Sequence, residues 1–67
     1  MIPDIDIYRS ATVIMDQYGD GALLEAMNRV EKYRRIGNDH GMDVWRRIAD
    51  AIETLQMPAH LSTQTTH

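Results

Sequence analysis

The chain has 67 residues, ten acidic and seven basic, with no cysteine and a net charge of −3. This length limits it to one domain, and the missing cysteines exclude disulfides and thiolate metal sites. The acidic balance disfavours nucleic acid as the main partner. No apolar run approaches the roughly 20 residues that cross a bilayer, and residues 1–6 lack a signal-peptide pattern. We therefore expect a cytoplasmic protein with no membrane partner.

The first predicted helix covers about residues 5–18. Asp4 is a candidate N-cap, and Gly19 is expected to end the helix in the left-handed conformation. Apolar residues recur at the helical period and predict one buried face. That face consists of Ile7, Ala11, Ile14, Met15 and Tyr18.

The second predicted helix covers about residues 20–36. Asp20 is expected to cap its start, and Gly37 with Asn38 to end it. Its predicted buried face consists of Leu23, Ala26, Met27, Val30 and Tyr33.

The third predicted helix covers about residues 39–56 and has the clearest division between apolar and polar faces. Asp39 is its candidate N-cap, Gly41 weakens its first turn, and Pro58 prevents its continuation. Residues 57–67 lack periodicity, which predicts a disordered tail. The predicted buried face consists of Val44, Trp45, Ile48, Ala49, Ala51, Ile52 and Leu55.

These elements predict an all-α fold with a single domain at residues 1–56. Short connections around Gly19 and Gly37 imply that consecutive helices pack as neighbours. A three-helix bundle and an orthogonal three-helix packing both fit the pattern. Opposite charges four residues apart predict three ion pairs on exposed faces. They are Glu25–Arg29, Glu31–Arg35 and Asp43–Arg47.

No set of residues predicts catalysis or cofactor binding. Asp50 and Glu53 lie one turn apart, but on the wet face, whereas acid/base catalysis by carboxylates requires burial or a cleft. None of the three histidines, His40, His60 and His67, shares a helical face with another metal ligand four residues away. We therefore expect a protein that is not an enzyme, with no catalytic residue, metal, cofactor or small-molecule substrate.

Three apolar residues fall outside the predicted buried faces, namely Val13, Leu24 and Ile36. A patch formed by them would mark a protein-binding surface, and dimerisation would enlarge the small core. The leading hypothesis is therefore a helical interaction module that binds an unidentified protein or itself, as a homodimer.

The alternative is a small regulator that binds nucleic acid through a cluster of basic side chains. The third helix would then present Asp43, Asp50 and Glu53 to phosphates, which opposes the main electrostatic contribution to binding. The six basic candidates are Arg29, Lys32, Arg34, Arg35, Arg46 and Arg47.

Residues 37–55 follow the pattern G-[ND]-x-x-G-x-x-V-W-x-R-I-x-x-A-I-x-x-L. This run resembles the closing segment of a group of short, uncharacterised all-helical proteins from alphaproteobacteria. Residues 6–11 and 17–22 are similar to that group's opening helix and its H-G-x-x-A turn, with Tyr18 replacing the histidine. The resemblance covers about residues 4–56 and implies an all-α fold in a bacterial cytosol. It implies no activity, ligand or partner.

Overall fold

The computed structural model describes residues 4–56, of which all but residues 36–38 are helical. Helix α1 spans Asp4–Tyr18, a short 3₁₀ turn spans Gly19–Gly21, α2 spans Ala22–Arg35 and α3 spans Asp39–Gln56. This described part contains no strand, so the all-α prediction is confirmed. The predicted tail at residues 57–67 lies outside the described residues.

The junction between α1 and α2 follows the prediction at Gly19 but not at Asp20. Gly19 has a φ of +53°, which is the left-handed conformation expected of a helix-ending glycine. Asp20 then lies inside the 3₁₀ turn, and Gly21 occupies the N-cap position of α2 without a side-chain cap. The predicted Asp20 cap is wrong because the chain resumes helical dihedrals at once, whereas a capping side chain needs an extended residue.

Helix α2 ends in a Schellman motif centred on Gly37. Gly37 has a φ of +75°. Its N–H donates to the carbonyl of Arg34 at 3.2 Å, and the N–H of Asn38 donates to the carbonyl of Tyr33 at 2.9 Å. These two bonds satisfy carbonyls that the end of a helix leaves unpaired.

The N-cap of α3 is Asn38. Its Oδ1 accepts a hydrogen bond of 2.8 Å from the N–H of Gly41, and its carbonyl accepts one of 3.0 Å from Met42. The predicted cap, Asp39, is wrong by one position. Asp39 is already helical, so only the preceding side chain can reach the amide three residues further on.

Two close contacts show that α2 and α3 run antiparallel. Tyr33 lies against Gly41, where an added Cβ would come within 2.6 Å of the ring atom Cδ1. One turn further along, the guanidinium of Arg29 lies 5.0 Å from the ring centroid of Trp45, a cation–π contact. Residue numbers therefore decrease along α2 in the direction in which they increase along α3.

The core is small and rich in alanine. Among residues 4–56, five of the nine buried residues are alanines, and Ile52 is the only large side chain that is fully buried. Met15, Leu23, Val44 and Trp45 pack around it while remaining partly exposed. The buried residues are Ile7, Ala11, Ile14, Ala22, Ala26, Ile48, Ala49, Ala51 and Ile52.

Three residues that were predicted to be buried are exposed. Tyr18 is 42% exposed, Leu55 is 47% exposed and Met27 is 56% exposed. Tyr18 and Leu55 lie in the last turn of their helices, where fewer neighbouring side chains cover them. Met27 is displaced by about 100° around α2 from the fully buried Ala26, which puts it at the margin of the buried face.

The end of α3 is tied to the α1–α2 junction, because the Gln56 side-chain amide donates to the Gly19 carbonyl at 3.1 Å. Within residues 4–56, no helix has both the length and the apolar character needed to cross a membrane.

Candidate functional site

The three apolar residues predicted to form a patch are all exposed. Val13 is 51% exposed, Leu24 is 65% exposed and Ile36 is 63% exposed. Val13 lies on α1, whereas Leu24 and Ile36 lie near opposite ends of α2. The last two are separated by about 18 Å along the helix and about 120° around it, so they do not share a face.

An open groove between α2 and α3 brings a largely exposed methionine together with other apolar side chains. Its volume is about 390 Å³. Met27 lies in its middle and is more than half exposed, and Leu24 lies one turn away on α2. We call this site the α2–α3 groove. Its apolar lining consists of Leu23, Met27, Val30 and Ala49.

Charged residues line the rest of the α2–α3 groove, and their order follows from the antiparallel helices. Asp50 and Glu53 come late in α3 and therefore lie toward the Leu23 end. By the same antiparallel register Arg46 is level with Asn28 near the middle of the groove, and Glu31 lies toward the opposite end. The groove is therefore acidic at its Leu23 end.

The Glu31 end carries excess positive charge because two arginines neutralise its one carboxylate. Arg34 donates two hydrogen bonds to Glu31, the longer measuring 2.9 Å, and Arg35 donates one of 3.3 Å. The bonds from Arg34, ahead of the weaker contribution of Arg35, lower the pKa of Glu31 to about 2. This end of the groove is therefore basic.

Most of the basic residues proposed for nucleic-acid contact form ion pairs with carboxylates of the same chain. Arg29 pairs with Glu25 at 2.7 Å, and the Glu25 hydrogen bond raises the pKa of Arg29. Arg47 pairs with Asp43 at 3.2 Å. The three predicted i,i+4 pairs are thereby confirmed, while the salt bridges among residues 4–56 include neither Lys32 nor Arg46.

Two further open grooves lie between α1 and α3. One includes Tyr8, Arg47 and Thr54 in its lining. The other is lined in part by Val13, Ser10 and Trp45. Neither includes Leu24 or Ile36, so these two grooves do not unite the predicted patch.

The described residues include no buried polar or charged side chain. In the same part of the chain, no group of three or more histidine or acidic side chains is arranged to hold a metal ion. The arrangement that the structure offers is an apolar groove with charged ends, which can bind another surface by burial and by ion pairing.

Comparison of the chain with protein-family models, with curated proteins and with solved structures finds no match. The resemblance to the alphaproteobacterial group stays a prediction from the sequence pattern.

Proposed function

We propose that this chain is a small helical protein-interaction module, with its three helices in one domain and the α2–α3 groove as its contact surface. The observation that carries the proposal is that more large apolar side chains lie at the surface than in the core. The core holds only four large ones, all isoleucines, whereas eight large hydrophobic residues of the described part are exposed. Chains of this size bury a smaller fraction of their surface than larger domains do, so contact with another surface adds substantially to the apolar area removed from water.

The surface around Met27 has the composition of a binding site. Met27 and Leu24 are the most exposed apolar side chains near the groove, and they lie one turn apart on a regular helix. Methionine side chains adapt to irregular partner surfaces because they are unbranched and polarisable. A rigid helix also presents them at little entropic cost on binding.

The charge distribution favours protein contact over nucleic acid. Nucleic-acid binding depends on cations that can neutralise phosphates. Four of the six basic candidates instead neutralise carboxylates of their own chain, at Glu25, Glu31 and Asp43. The exposed carboxylates of Asp50 and Glu53 line the same groove as Arg46 and would repel a phosphate backbone.

Site-specific photocrosslinking tests this proposal. A benzoylphenylalanine at position 27 should give a protein adduct of discrete mass when cells that express the chain are irradiated. The same probe at position 5, where Ile5 is 61% exposed on α1 and lines none of the three grooves, is the matched control. An adduct from position 27 that is absent from position 5 supports a contact surface at the groove. Absence of any position-27 adduct, with the variant folded by circular dichroism, contradicts the proposal.

A further inference from the structure

We propose that the partner held by the α2–α3 groove is a second copy of this chain, packed about a twofold axis that passes near Met27. This inference rests on the proposed function and specifies its partner. It follows from where the charges lie along the groove.

The contacts between α2 and α3 fix which residues lie level with one another. Tyr33 is opposite Gly41 and Arg29 is opposite Trp45, and the same register places Glu53 level with Gly21. At about 1.5 Å per residue, Glu53 and Arg34 then lie about 10 Å from Met27 along the axis, in opposite directions. Met27 is therefore close to the midpoint between the acidic and the basic end.

A twofold axis at that midpoint brings unlike ends together. In an isologous interface each copy presents the same patch, and residue i of one copy meets residue j of the other twice. Rotation about Met27 puts Glu53 of each copy near Arg34 of the other, while the exposed Met27 and Leu24 of both copies fill the apolar middle. Arg34 stays 61% exposed in its pair with Glu31, so it retains donors for a second carboxylate.

A partner of a single charge sign would match only one end of the groove and oppose the other. A second copy matches both ends because it carries the same two ends in reversed order. Charge complementarity of this kind sets the orientation of an interface more than its strength. The apolar middle supplies the favourable burial.

Sedimentation velocity over a wide concentration range tests the inference. The wild-type chain should dimerise reversibly, and Met27→Lys should weaken the dimer at least tenfold, because two ammonium groups would face each other at the axis. Lysine suits α2, being a good helix former four residues from Glu31. Ile5→Lys is the matched control and should leave the dissociation constant within about twofold. A chain that stays monomeric at millimolar concentration, or a dimer that Met27→Lys leaves intact, overturns the inference.

A charge exchange tests the twofold arrangement itself. Glu53→Arg and Arg34→Glu should each weaken the dimer several-fold, and the double variant should recover most of that loss. Circular dichroism of each variant verifies that the chain remains folded. Failure of the double variant to recover affinity overturns the proposed pairing.

The photocrosslinking experiment separates this inference from the proposed function. An adduct with the mass of two copies supports both. An adduct of a different protein at position 27, from a chain that is monomeric in solution, overturns the inference and leaves the proposed function standing.

Discussion

Replacing Gly41 with alanine has two opposing effects on the stability of the fold. In a helix interior, alanine is favoured over glycine by up to about 1 kcal/mol, because glycine loses more backbone freedom on folding. At Gly41, however, the new Cβ would lie 2.6 Å from Cδ1 of Tyr33 and 2.9 Å from its Cγ. Carbon atoms normally pack at about 3.5–4.0 Å.

The position of the Cγ atom decides which effect prevails. Rotation of the Tyr33 ring about its Cβ–Cγ bond moves Cδ1 but leaves Cγ in place. The ring must therefore change its first side-chain torsion, or α3 must move away from α2. Overpacking of this kind typically costs about 1–3 kcal/mol, so we expect Gly41→Ala to destabilise the chain by about 1 kcal/mol net.

Thermal unfolding followed by circular dichroism measures this effect, at one fixed protein concentration because association would shift the midpoint. For a domain of this size, about 1 kcal/mol corresponds to a midpoint lower by roughly 4–8 °C. Asn28→Ala, at an exposed position of α2, is the control and should raise stability by about half a kcal/mol. In a Tyr33→Ala background, Gly41→Ala should become stabilising. A Gly41→Ala chain with Tyr33 intact that melts higher than the wild type would refute the steric argument.

Three further predictions concern single side chains. Asn38→Ala removes the α3 cap and should cost about 1 kcal/mol in urea unfolding, whereas Asn38→Asp should retain most of the stability. Trp45→Ala should cost about 2–3 kcal/mol, less than the 3–5 kcal/mol typical of a fully buried aromatic, because Trp45 is only partly buried; a loss near zero in urea unfolding would contradict this. The pKa of Glu31 is lowered from 4.5 to about 2, so its carboxylate favours the folded state above about pH 4.5 and loses that effect as the pH falls toward 2. Glu31→Gln should therefore flatten the stability profile in that window, and an NMR titration of Glu31 with an ordinary midpoint would contradict the pairing.

Sequence periodicity predicted the helices well because their ends are encoded locally. Gly19 and Gly37 adopt the left-handed conformation that ends a helix, as expected. The bounds of α1 and α3 agree with the predicted ones to within one residue, and those of α2 to within two. Local rules were less accurate for the N-caps, because a cap depends on the dihedrals of the preceding turn. The Schellman motif at Gly37 places Asn38, and not Asp39, at the N-cap position of α3.

Which residues are buried depends on how helices meet, and a periodic pattern in one helix does not contain that information. Ala22 was assigned to no buried face but is fully buried, whereas Met27 was assigned to one and is exposed. The same limit applies to the candidate site. Exposure of Leu24 was predicted, but its proximity to an exposed Met27 required the placement of α3 beside α2. Gly41, which the sequence presents only as a weak helix start, is explained by the Tyr33 ring.

The alanines of the core connect folding to the proposed interface. A buried methyl group contributes about 0.8 kcal/mol, whereas full burial of a leucine or methionine side chain contributes about 1.5–3 kcal/mol. Alanines let the helices approach closely, but they bury little apolar area. Much of the apolar area of the chain therefore belongs to large side chains that stay exposed. Ala26 and Met27 show this division at adjacent positions of α2, since the first is fully buried and the second is 56% exposed. A change at Ala26 acts on the interior, whereas a change at Met27 acts on the proposed contact surface. The two roles can therefore be altered independently, although one peptide bond separates them.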